Sequence, residues 1–196
     1  GPVELVEGKE GVFQVISNVR WDTEAMLDGL GERFIITECG YKAFPSEALT
    51  HEPITAALEV MREEGIDPRR ITRVRVETTT RGADILSDPS KYEPRTKETA
   101  DHSLPYCIAV AVTKGNVLPS DFEEEALRDP MVWKMLPKIE VVATPEIDGL
   151  FPHVKRAVVS VLTDDDRVFT RKTDDAKGRP ENPLSDKELV DKFRAN

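Results

Sequence analysis

Cysteine is scarce. Cys39 and Cys107 are the only two in 196 residues. Two cysteines cannot build a disulfide framework, and their wide separation is not a zinc spacing. A reducing, intracellular compartment is the expectation, cytoplasmic or, in a eukaryote, the mitochondrial matrix. Long apolar runs are also missing, and nothing approaches the roughly 20 residues of a membrane helix. Histidine is sparse and scattered as His51, His102 and His153, so no His-based metal site is expected without carboxylate help. Positive charge is in the minority, 27 Lys+Arg against 37 Asp+Glu, a net charge of −10. That balance argues against a general binder of phosphate backbones, so neither nucleic acid nor membrane is expected as a partner. There is no P-loop, no glycine-rich dinucleotide fingerprint, no H-E-x-x-H and no G-x-S-x-G.

What remains is ordinary globular material, 39 % hydrophobic and 33 % charged, enough for one domain or a domain with an appendage. The chain opens Gly1-Pro2 without Met, and the expectation is a piece of a longer protein or a tag remnant. In residues 1–31, Gly8, Gly11, Gly29 and Gly31 interrupt short apolar stretches such as Val12–Ile16. This segment is expected to pack on another body, with a short helix in residues 22–30. Phe34 to Thr37 reads as a strand.

Ile54, Ala57, Leu58 and Met61 share one face of a helix that starts near Thr50 and ends at Gly65. Residues 71–79 alternate as a half-buried strand, with Thr72, Val74 and Val76 on one face. A mostly polar loop over 81–97, with a turn of helix at residues 83–86 as an alternative, precedes a helix that runs from Ser103 or Leu104 to Lys114. It is apolar nearly all round and therefore expected at the centre. Two short helices follow in 120–136, then strands at Ile139–Ala143, 156–162 and 167–173. Ser185 and Glu188 have the spacing of a capping box for a last helix. Helices in the middle and strands grouped late predict an α+β fold. The expected form is a mostly antiparallel sheet with helices on one face, a two-layer sandwich.

Two segments concentrate chemistry. Residues 40–51 put Lys42, Ser46, Glu47 and His51 into a loop that runs into a helix N-terminus, where backbone N–H groups favour an anion. Residues 100–106 place His102, Ser103 and Tyr106 at the start of the apolar helix. Each has a plainer reading. Lys42 can be a solvated loop lysine, Glu47 and His51 ordinary first-turn residues, and His102 and Ser103 helix caps. Tyr106 can anchor a core by its ring, Cys107 can be a small core residue, and Arg69, Arg70, Arg73 and Arg75 can be a solvated strand edge.

The run Lys42-x-Phe44-Pro45-Ser46-Glu47 with His51 after it, the run Ala100-Asp101-His102-Ser103-Leu104-Pro105-Tyr106, and the ending Leu189 to Asn196 resemble the 2-methylcitrate dehydratase and cis-aconitate decarboxylase family (MmgE/PrpD). Gly1-Pro2 with Glu7-Gly8 also looks like the start of that family's second half. The resemblance implies a site between a large helical domain and a smaller α+β lid. Residues 1–31 then belong to a missing helical domain, 32–183 form the lid, and 184–196 lead back. It implies a substrate-binding or catalytic lysine at Lys42 and a catalytic tyrosine at Tyr106, with His51 and His102 in reserve for proton transfer. Ser46, Glu47 and Ser103 are expected to bind substrate. Decarboxylase-like members carry His five residues after the lysine and dehydratase-like ones Glu; Glu47 stands there, which favours dehydration. An aspartate and histidines would come from the helical half. No metal or organic cofactor is implied.

The expected function is thus the lid of a cofactor-independent lyase that removes water from a hydroxy-tricarboxylate such as 2-methylcitrate. The expected partners are a di- or tricarboxylate substrate, the helical domain or an equivalent subunit, and a second copy when intact. The alternatives are a cis-aconitate decarboxylase- or epimerase-like member and a non-enzymatic α+β module that binds a helical partner. The spatial expectation is one hollow shared by the Lys42 amine and the Tyr106 phenol.

Overall fold

The computed structural model describes residues 5, 6, 8, 9, 11–16 and 22–195. Gly1, Pro2, Glu7 and Asn196, which contribute to the family resemblance, lie outside them. The chain divides into two units, Gly1–Cys39 and Gly40–Asn196.

The first unit holds two short helices, α1 (Val12–Ile16) and α2 (Thr23–Leu27). Asp22 caps α2 by accepting from the Ala25 N–H at 3.1 Å. The strand expected at Phe34 to Thr37 is instead a 3-10 turn, Ile35–Glu38. A strand needs a neighbour for its backbone groups. Here the Thr37 and Cys39 N–H groups close back on the Phe34 and Ile36 carbonyls, while Phe34, Ile35 and Ile36 stay exposed.

The second unit begins its regular structure with α3 (His51–Glu64). Ile54, Ala56, Ala57, Val60 and Met61 are buried along it, and Gly65 closes it in the left-handed conformation. Next come β1 (Ile71–Thr78), α4 (Thr80–Leu86) and α5 (Lys97–Asp101). Thr72 does not share the inner face with Val74 and Val76. The register slips between Ile71 and Arg73, so Ile71 turns inward and Thr72 outward.

The central helix is α6 (Leu104–Lys114), buried continuously from Leu104 to Val112. It is followed by α7 (Pro130–Met135), β2 (Ile139–Ala143) and α8 (Pro145–Asp148). The hairpin β3 (Ala157–Thr163) and β4 (Val168–Thr173) comes next, and α9 (Asp186–Ala195) ends the unit. The Ser185–Glu188 capping box is present: Ser185 N donates to Glu188 Oε2 at 2.8 Å and Glu188 N to Ser185 Oγ at 3.3 Å.

The sheet has four strands in the order β2-β1-β3-β4. β1 pairs antiparallel with β3, and β3 with β4, but β1 and β2 are parallel. The fold is α+β as expected, with a mixed sheet. A parallel neighbour requires a long crossover, and the helical segment containing α4 to α7 supplies it. The inner face of β1 and β3 (Val74, Val76, Val159, Val161) joins one apolar core with α3 and α6. Each such aliphatic side chain contributes about 1.5–3 kcal/mol when removed from water. Among the described residues no helix is long and apolar enough to cross a membrane.

Candidate active site

The loop ahead of α3 turns tightly because its own polar groups replace the missing helical bonds. Glu47 Oε2 accepts from Leu49 N at 2.5 Å and so caps the 3-10 turn Ala48–Thr50. Thr50 does not cap α3. Its hydroxyl donates to the Glu47 carbonyl at 2.7 Å and shares a 2.7 Å bond with Ser46 Oγ.

The Ser46 carbonyl is the hub of the site. Lys42 Nζ donates to it at 2.9 Å, and His51 Nε2 lies 3.4 Å from it. A carbonyl can only accept, so Nε2 carries the proton and Nδ1 is the bare nitrogen. Phe44 lies against the imidazole at a centroid distance of 5.5 Å. Burial pushes His51 down from its usual 6.5 to about 4; the Ser46 bond opposes this, and Lys42, Lys155 and Lys192 reinforce it. The imidazole is therefore neutral at pH 7, within a field of three ammonium groups.

This burial has a measurable consequence. Between about pH 4 and pH 6.5 the unfolded imidazole holds a proton that the folded one does not. Stability is full above that window and is lost as pH falls through it, by about 3 kcal/mol in all. His51→Gln is expected to flatten that part of the acid limb in urea unfolding between pH 7 and pH 4. Equal acid losses in variant and parent would exclude His51 as their source.

The second polar segment meets the first through the backbone: Glu47 N donates to the Asp101 carbonyl at 3.0 Å. The Asp101 carboxylate bonds His102 Nδ1 at 2.5 Å, and the His102 side chain is 55 % exposed. With Nδ1–H on the carboxylate, Nε2 is left as the acceptor nitrogen of the ring. Lys42, Ser46, Glu47, His51 and the Asp101–His102 pair thus form one neighbourhood.

Ser103 and Tyr106 stand apart from it, which corrects the expectation of a shared hollow. Ser103 is fully buried; its hydroxyl caps α6 by accepting from Tyr106 N at 3.0 Å and donates to the Lys91 carbonyl at 2.6 Å. Tyr106 is 0 % exposed, packs on Phe122, and donates its hydroxyl to the Asp121 carbonyl at 2.7 Å. Burial first, then the nearby Asp121, Cys107 and Asp129, pushes the phenol up beyond the usual tyrosine range. The position lies in the continuously buried part of α6, so the ring goes where its area is buried and its hydroxyl finds a carbonyl.

Several charged groups of this neighbourhood carry no local signature in the sequence. Glu52, one residue after His51, is 2 % exposed, and its Oε1 pairs with Arg179 Nη2 at 3.0 Å. Burial pushes its carboxyl up, while Arg179 and Lys155 pull it down. Lys155, Arg179 and Lys192 come from the distant C-terminal part of the chain, and only folding brings them here. Asp101 could have been found, since it directly precedes His102. Phe44 and Lys192 also line a cavity of about 780 Å³ with Thr55, Glu59 and Lys177. That volume suits a small organic acid, although neither Lys42 nor His102 lines it. No cluster of His, Cys, Asp and Glu suited to a metal ion occurs among the described residues.

Residues 44–196 match the MmgE/PrpD C-terminal domain. The chain belongs to the MmgE/PrpD family. It is 25 % identical over 161 residues to cis-aconitate decarboxylase of Mus musculus and 26 % identical over 163 residues to that of Homo sapiens. Each match covers 81 % of this chain and 33 % of the relative. The chain thus spans about a third of the length of these curated relatives, and the match to the MmgE/PrpD domain takes in the whole sheet, the second polar segment and the first from Phe44 onward, with Lys42 just ahead of it.

Proposed function

We propose that this MmgE/PrpD domain is the lid of a cofactor-independent lyase that eliminates water from a hydroxy-tricarboxylate such as 2-methylcitrate. The observation that carries the reading is the meeting of Lys42 and His51 on the Ser46 carbonyl, with Lys155 and Lys192 acting on the same imidazole. Several ammonium groups around a neutral base suit a substrate with several carboxylates.

In this reading Lys42 holds a substrate carboxylate. His102, oriented by Asp101, takes the proton next to a carboxylate at Nε2; the C–H electron pair forms the carbon–carbon double bond as the C–O bond breaks, and an acid from the helical partner protonates the leaving hydroxyl to water. Ser46 and Glu47 shape the loop. The expected partners are the substrate, a helical domain or subunit that completes the cleft, and a second copy of the intact protein. Glu47 favours dehydration through the family pattern. The likeness to the mouse and human cis-aconitate decarboxylases favours a second reading, loss of CO₂ from an unsaturated tricarboxylate.

The test is product analysis of the intact protein on 2-methylcitrate, citrate and cis-aconitate, beside the 196-residue chain alone. An unsaturated tricarboxylate formed from the hydroxy acid by the intact protein only is the expected result. Release of CO₂ from cis-aconitate would select the second reading. Full activity of the 196-residue chain would remove the need for a helical partner.

A further inference from the structure

A carboxylate buried as deeply as Glu52 is an odd choice at the second position of a helix. Taking an ion pair out of water often brings no net stability over apolar side chains of similar volume. Glu52 is also incompletely satisfied: Arg179 engages Oε1, whereas Oε2 is buried with no hydrogen-bond partner among the described residues. Such a pair needs a reason other than stability.

Its surroundings supply one. The connection between β4 and α9 folds over the first turns of α3 and over the backbone on either side of Lys42. Lys177 N donates to Thr55 Oγ1 at 3.1 Å, and Tyr41 N donates to the Gly178 carbonyl at 2.8 Å. The two backbones approach so closely that a Cβ on Gly178, whose φ is +96°, would lie 2.0 Å from the Tyr41 oxygen. A Cβ on Gly40 would lie 2.8 Å from the Gly178 oxygen and 3.2 Å from Arg179 Cα. Arg179 is therefore the residue at which this connection touches both the segment that leads to Lys42 and, through Glu52, the helix that carries His51.

We propose that Glu52 and Arg179 are a positioning pair that latches the 174–184 connection onto α3 and thereby holds Lys42 in register with His51. The pair acts through Tyr41 and Gly178 and does not touch substrate. The catalytic part of this inference rests on the reading of Lys42 given above; the latch itself does not.

Two measurements separate these levels. Amide hydrogen exchange on the 196-residue chain tests the latch alone. In Glu52→Gln the Tyr41 and Lys177 amides are expected to exchange about tenfold faster, the size of a lost charge-assisted bond, while the amides in the interior of α6 do not change. Should Glu52→Gln unfold, the double variant Glu52→Leu/Arg179→Met, which leaves no buried charge, gives the same readout. Unchanged exchange at Tyr41 and Lys177 in a folded variant would overturn the latch.

Kinetics of the intact protein on the hydroxy-tricarboxylate tests its purpose. Glu52→Gln and Arg179→Met are each expected to raise KM about tenfold with kcat changed less than about threefold, the double variant being no worse than either, and Glu52→Asp to recover most of the loss. Faster exchange at Tyr41 with unaltered KM would show a purely structural latch and overturn its positioning role. If the parent protein turns over none of these acids, the lyase reading fails while the exchange result still decides the latch.

Discussion

Replacing Lys42 by Met in the intact protein is expected to lower kcat/KM on a hydroxy-tricarboxylate by about 10²–10³-fold, with stability changed by less than about 1 kcal/mol. The stability part follows from the surroundings: Lys42 is exposed, and its one bond, to the Ser46 carbonyl, can be taken over by water. The catalytic part follows from charge. A carboxylate that docks near the Ser46 hub would meet the Lys42 ammonium, and in a cleft closed by the proposed helical partner one lost charge-assisted contact costs about 2–5 kcal/mol. Lys42→Arg is expected to restore only part of the rate, because a planar fork does not reproduce a compact point charge. Steady-state kinetics beside urea unfolding checks both halves. An unaltered kcat/KM in Lys42→Met would return Lys42 to the plain role of a solvated loop residue.

Tyr106 is expected to behave in the opposite way. Tyr106→Ala should cost about 3–5 kcal/mol of stability, the range for an aromatic ring removed from a packed core. Tyr106→Phe should cost about 1–2 kcal/mol, since it leaves the Asp121 carbonyl without its donor. Turnover of Tyr106→Phe in the intact protein should stay within a few-fold of the parent, because the phenol points inward to the Asp121 and Ala126 carbonyls. A loss of turnover beyond about 100-fold at unchanged stability would place the phenol in the reaction and overturn the core assignment.

The contrast between these two residues shows how far the sequence could be read. Lys42 and Tyr106 stand in equally conspicuous polar runs, each beside a helix start. Nothing in either run says which way its side chain faces. Tyr106 occupies the third position of α6, where Ser103 caps the backbone and the following residues to Val112 are buried. The helix is buried from Leu104 to Val112, so every position in that stretch is interior. Lys42 lies in an irregular loop whose direction is set by the Gly178 carbonyl, contributed from the far end of the chain. The Phe34 to Thr37 strand failed for a related reason: its composition suits a strand, but among the described residues its backbone groups close on one another in a turn and meet no neighbouring strand.

The local elements were legible from residue order alone, because short-range rules govern them. The apolar spacing of α3, the unbroken apolar run of α6, the Gly65 and Gly115 ends, the β3–β4 hairpin and the Ser185–Glu188 cap are all settled within a few residues of chain. So were the two segments that meet at the candidate site. The parallel pairing of β1 with β2, the approach of Lys155, Lys192 and Arg179 to His51 and Glu52, and the inward direction of the Tyr106 hydroxyl were decided only in three dimensions. Each depends on groups tens of residues apart competing for one low-dielectric interior. Burial and charge there are properties of the assembled core, and no stretch of sequence carries them alone.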